Sequence, residues 1–166
     1  MYMDLGKFDK ALADLEKVSG PPLGTQALIG KALIHRAKED WAKEATVIRQ
    51  LLDGNHGELP AFDLNYRLGR CHLNLKDAAS AIDSFSEALN EKNDSVNALV
   101  SRGQAHLLAG NFQLADDDFN AALVQSPQCQ AAQRGQVAAR QGEKMKEPAD
   151  AAEGVDVEVD TGITFE

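Results

Sequence analysis

The chain has 166 residues, 43% of them hydrophobic, so it can bury the core of one domain. Its net charge is −9; residues 147–166 hold seven acids and no Lys or Arg, leaving −2 for residues 1–146, and neither part offers the basic footprint that nucleic-acid binding requires. No apolar run approaches the roughly 20 residues of a membrane helix, no amino-terminal stretch has the build of a signal peptide, and two cysteines, Cys71 and Cys129, are too few for a disulfide framework.

These totals predict a cytoplasmic protein without membrane insertion. The chain also repeats itself. Laid over 96–129, residues 62–95 bring Gly69 onto Gly103, His72 onto His106, Ala81 onto Ala115, Phe85 onto Phe119 and Ala88-Leu89 onto Ala122-Leu123. A 34-residue period marks a solenoid, whose units bury their apolar faces against neighbours. In chain order, residues 1–20 place Tyr2, Phe8, Ala11, Leu15 and Val18 in the later part of a unit, so they predict a partial repeat with a second helix only. This predicts that the chain is a fragment of a longer solenoid, or that a partner covers the open end.

Residues 24–58 form a divergent unit, with Ala32 for the glycine and Glu44 where later units have Ala81 and Ala115. Residues 62–95 and 96–129 are regular units. In the last, helices are predicted over 96–108 and 112–125, separated by a turn at Gly110 that allows positive φ and stopped by Ser126-Pro127. Residues 130–146 predict a capping helix that Gly135 and Gly142 weaken by about 1 kcal/mol each relative to Ala. Residues 147–166 predict an acidic, disordered tail. Within it Val155, Val157 and Val159 alternate with acids, a pattern that also suits docking as a strand on a partner.

Gly103, His106, Gly110, Phe112, Ala115, Phe119, Ala122 and Pro127 together resemble the tetratricopeptide repeat pattern. The resemblance covers roughly residues 1–146 and implies an all-α fold: an α-solenoid of antiparallel helix pairs in a right-handed superhelix. It also implies that first helices line a concave groove. Counting back 9, 6 and 2 residues from His35, His72 and His106 then gives Gln26, Ile29 and Leu33; Asp63, Tyr66 and Arg70; and Asn97, Val100 and Gln104. The capping helix adds Arg134. Tyr and Arg are enriched at binding hot spots, and Asn and Gln can hold a peptide backbone.

No catalytic residue, cofactor or metal is expected. The three repeat histidines lie on helices whose axes are about 8–10 Å apart, too far for one zinc ion, and read as packing residues. Cys71, whose counterpart is Ala105, reads as a buried thiol, and Glu39-Asp40 and Asp116-Asp117-Asp118 as solvated surface charges. The predicted function is a non-enzymatic adaptor that binds a peptide or helix of another protein, with Arg70 and Arg134 favouring an acidic or carboxylate-bearing segment. The chain's own tail is one candidate ligand. The alternatives are a structural subunit of a larger assembly and a co-chaperone. Family members that clamp chaperone carboxyl termini resemble a Lys/Asn pair followed by Asn and a Lys/Arg pair. Here Ile29/Leu33 or Tyr66/Arg70 would be the first pair, and Asn97/Ser101 or Ala131/Gly135 the last, so neither register supplies the clamp.

Overall fold

The computed structural model describes residues 5–18, 23–54 and 59–146; Tyr2, His56 and the acidic segment 147–166 lie outside the described residues. Every regular element among them is a helix: α1 (Leu5–Glu16), α2 (Leu23–Ala37), α3 (Trp41–Asp53), α4 (Ala61–Asn74), α5 (Ala78–Glu91), α6 (Val96–Ala109), α7 (Phe112–Gln125) and α8 (Gln130–Lys146). None is long and apolar enough to cross a membrane.

Local sequence sets these boundaries. Asp40 and Asp77 cap α3 and α5 by accepting from the backbone N–H of Lys43 and Ser80, and Ser95 caps α6 from Ala98 N–H. Helix α7 ends at Ser126, the residue before a proline. Three corners between paired helices need a left-handed residue. Gly110 supplies it at φ 73°, while Glu39 (φ 56°) and Lys76 (φ 62°) adopt it with a Cβ attached.

Packing is serial. Each helix packs on its chain neighbours, and among the described residues the only other pairs with close backbone approach are α4 with α6 and α6 with α8; the backbones of α2 and α4 stand apart. The core is correspondingly divided into three clusters, around Ile48 and Leu64, around Phe85, and around Phe119. This is the nearest-neighbour arrangement of a solenoid. Phe85 and Phe119 are both completely buried. Each ring lies where a Cβ on the glycine of the preceding helix would meet it, at 2.7 Å for Gly69 and 2.8 Å for Gly103. In the divergent unit the aliphatic Ile48 takes the aromatic's place, and Ala32 replaces the glycine; both are buried.

Glycines in α8 do more than weaken a helix. A Cβ on Gly135 would lie 2.3 Å from Phe119, and one on Gly142 would lie 2.4 Å from Phe112. The missing side chains let α8 seat against both rings.

Glu39 and Asp117 are exposed, as expected, but the expectation of solvated acids requires correction at Asp118, Asp116 and Asp40. Asp118 is buried, and its carboxylate accepts two hydrogen bonds from the Arg102 guanidinium, at 2.9 and 2.7 Å. Arg102 also donates to Ser86, so one guanidinium ties α5, α6 and α7. Asp116 accepts from Arg140 and links α7 to α8, and Asp40 serves as a cap. Each finds a nearby donor in preference to water.

Candidate binding groove

The groove is organised around Tyr66. Its ring stacks on Phe62 one turn earlier, with centroids 6.1 Å apart and planes 8° from parallel, and tilts against Phe85 at 5.7 Å. These contacts hold the ring as a fixed wall. Tyr66, Arg70 and Asn74 follow one another at intervals of about a helical turn, so α4 presents them as a single ridge.

Two clefts flank that ridge. The first, about 350 Å³, lies beside α3 and the end of α2 and is lined by Arg36, Trp41, Glu44, Asp63, Tyr66, Arg67, Arg70, Cys71 and Asn74. The second, about 420 Å³, reaches α6 and the start of α8, bringing in Asn97, Val100, Ser101, Gln104, Cys129 and Ala131. A smaller apolar hollow of about 200 Å³ joins Ile29 and Leu33 to Ile48, Leu51 and Asp63.

Of the residues picked out by counting, Tyr66, Arg70, Asn97, Val100 and Gln104 share the second cleft. Asp63 joins Tyr66 and Arg70 in the first, while Ile29 and Leu33 lie in the hollow. Gln26 and Arg134 are exposed on α2 and α8 and line none of the three. Asn74 continues the ridge one turn beyond Arg70, so extending the count by a turn would have found it. Trp41 and Glu44 come from α3, a second helix, which counting along first helices omits.

Glu44 is the unusual member. It occupies the fourth position of α3, as Ala81 and Ala115 do in α5 and α7, and is only 2% exposed. Burial pushes its carboxyl above the ordinary glutamate range, against a hydrogen bond from the Cys71 thiol and the positive charges of Arg36, Arg67 and Arg70. Its Oε2 has no hydrogen-bond partner. Burial and the adjacent Glu44 charge push the Cys71 thiol up to about 12, so it stays protonated and unreactive at neutral pH.

The histidines pack within the helix layers. Arg49 donates to His72 Nε2 at 2.9 Å, which leaves the proton on Nδ1, 3.7 Å from Asp77. His106 lies 3.9 Å from Asp118. Burial lowers the basicity of His35, His72 and His106. No group of three potential ligands among the described residues could hold a metal ion.

The tetratricopeptide repeat family model matches residues 2–60 and 45–98. The peptidyl-prolyl cis-trans isomerase FKBP4 of Homo sapiens is 38% identical over 65 residues, which cover 39% of this chain but 14% of that protein. The chain thus spans a small part of that relative. Among solved structures, YrrB, a TPR protein with an unusual peptide-binding site, superposes with a TM-score of 0.70 at 19% identity, covering 86% of this chain and 73% of that one. The first TPR of Spaghetti (RPAP3), bound to the HSP90 peptide SRMEEVD, superposes with a TM-score of 0.64 at 16% identity, covering 72% and 93%. The family model reaches across more than half the chain, and the paired helices carry its glycine and aromatic positions: the protein belongs to the tetratricopeptide repeat family.

Proposed function

We propose that this chain is a protein-interaction adaptor that holds an extended segment of a partner along the α4 ridge. It acts by binding, without a catalytic centre of its own. The observation that carries this reading is the ridge itself: an immobilised aromatic, Tyr66, beside Arg70 and Asn74, open on both sides to clefts that would take alternate side chains of a peptide. Arg70 also reaches the second cleft, whose lining holds no acidic side chain, so an acidic residue of the segment is favoured there through charge-assisted hydrogen bonds. Asn74, Asn97 and Gln104 supply donors and acceptors for a peptide backbone.

Selection from a random dodecapeptide library displayed on phage tests this with the full chain. Acidic residues should be enriched, and Arg70→Glu should weaken the selected peptides at least tenfold. Selection of no peptide, or of peptides that ignore Arg70→Glu, would refute it.

A co-chaperone is the second reading, favoured by the 65-residue match to FKBP4 and by the likeness to domains bound to HSP90 and HSP70 peptides. Titration with the peptide SRMEEVD separates the two. Micromolar binding abolished by Arg70→Glu supports the chaperone ligand; absence of binding removes it and leaves the adaptor reading intact.

A further inference from the structure

The first cleft lies between the end of α2 and α4, whose backbones make no close approach. Through that gap the buried α3 side chain Glu44 lines a space on the ligand-facing side, with Trp41 and Tyr66 as aromatic flanks and three arginines around it. Elsewhere the equivalent position is a completely buried alanine. Here the position holds a carboxyl whose Oε2 has no partner. An unsatisfied buried acceptor costs stability, and one that lines a cleft, as Glu44 does, is placed to meet a ligand.

The chemistry of the lining selects the ligand group. A cation entering the cleft meets Arg36, Arg67 and Arg70. An anion can pair with those arginines but meets Glu44 beneath them. A neutral group with a donor and an acceptor on one end satisfies both: its N–H donates to Glu44, and its carbonyl accepts from a guanidinium. The long uncharged side chain of this kind is glutamine, whose methylenes would lie between Trp41 and Tyr66. The three arginines are exposed, and these long side chains can rotate to let the group reach the carboxyl. From the Glu44 pocket we infer that it is a recognition site for a side-chain carboxamide, glutamine before asparagine, carried by the bound segment. This rests on the adaptor reading for its source of ligand, but the pocket chemistry can be tested separately.

The first experiment uses N-acetylglutamine methylamide as a probe, titrated into the isotopically labelled full chain and followed by NMR. The Trp41 indole and the Arg67 and Arg70 Nε–H signals should shift saturably. The corresponding glutamate and lysine probes should bind at least fivefold more weakly. Glu44→Met, which keeps the volume, and Glu44→Ala, which restores the residue of the other units, should each reduce glutamine-probe affinity at least tenfold. Equal response to the glutamate probe, or a response unchanged in both variants, overturns the inference. The second experiment repeats the phage selection with Glu44→Met. Loss of glutamine or asparagine preference at one position, with acidic preference retained, supports the pocket within the adaptor. Peptides selected without such a position sink the pocket and spare the adaptor. Probe binding with no peptides selected does the reverse.

Discussion

Replacing Gly135 by alanine should destabilise the protein even though alanine is the better helix former. Propensity alone favours the change by about 0.8–1 kcal/mol. Against it, the new methyl would lie 2.3, 2.4 and 2.7 Å from Cζ, Cε1 and Cε2 of Phe119, a ring with no exposed surface to retreat into. Over-packing of this kind costs about 1–3 kcal/mol, so the net loss should be up to about 2 kcal/mol. The clashing atoms are those that leucine lacks. In a Phe119→Leu background the clash therefore vanishes, and Gly135→Ala should become stabilising by about 0.5–1 kcal/mol. Urea unfolding of the four proteins of this cycle measures the coupling, expected at about 2 kcal/mol, from midpoints at unchanged slope. A stabilising Gly135→Ala in the parent, or equal destabilisation in both backgrounds, would show that α8 is not seated on Phe119.

Asp118→Asn leaves Arg102 facing a neutral amide in a half-buried site and should cost about 1–3 kcal/mol in urea unfolding. Lys76→Gly relieves a left-handed lysine and should stabilise by about 0.5–1 kcal/mol, a gain that the same change at the exposed Lys92 (φ −144°) should not give. His35, His72 and His106 all have lowered basicity in the fold. At these three sites the unfolded chain takes up more protons than the folded one, so their contribution to stability should be full above about pH 6.5 and decline as pH falls through that value, while the raised Glu44 carboxyl acts in the opposite sense. Each histidine contributes at most about 1.4 kcal/mol per pH unit; in a Glu44→Met background, which removes the opposing group, a melting temperature unchanged between pH 7.5 and 5.5 would contradict their burial. Cys71 should resist iodoacetamide at pH 8 in the folded protein while the partly exposed Cys129 reacts, which mass spectrometry of the labelled chain can read.

The parts of this fold that repeat were legible in the sequence; the parts that occur once were not. Gly69 with Phe85 and Gly103 with Phe119 recur at a fixed spacing because each ring needs a bare backbone to lie on, and that need marks the period. The helices expected over 96–108 and 112–125 compare with Val96–Ala109 and Phe112–Gln125. Asp118 was misread because its partner Arg102 lies on another helix, and no local pattern announces a guanidinium sixteen residues away. Glu44 was visible as a mismatch with Ala81 and Ala115, but that it faces a cleft depends on α2 and α4 standing apart, which is a matter of packing. In α8, Gly135 meets the Phe119 ring 32 residues after Gly103 does. Gly135 falls 34 residues after Ser101 and not after Gly103, so the repeat announces no glycine there.

The gap between α2 and α4 also sets how the molecule should move. From α4 onward the first helices also approach one another, α4 with α6 and α6 with α8, whereas among the described residues the backbones of α1–α3 approach that block only where α3 meets α4. A single seam of this kind behaves as a flexure. Amide exchange should be slowest in α5–α7 and quicker across α1–α3, because opening there breaks only one interface. The gap would then widen or narrow without disturbing the half in which the first helices approach one another.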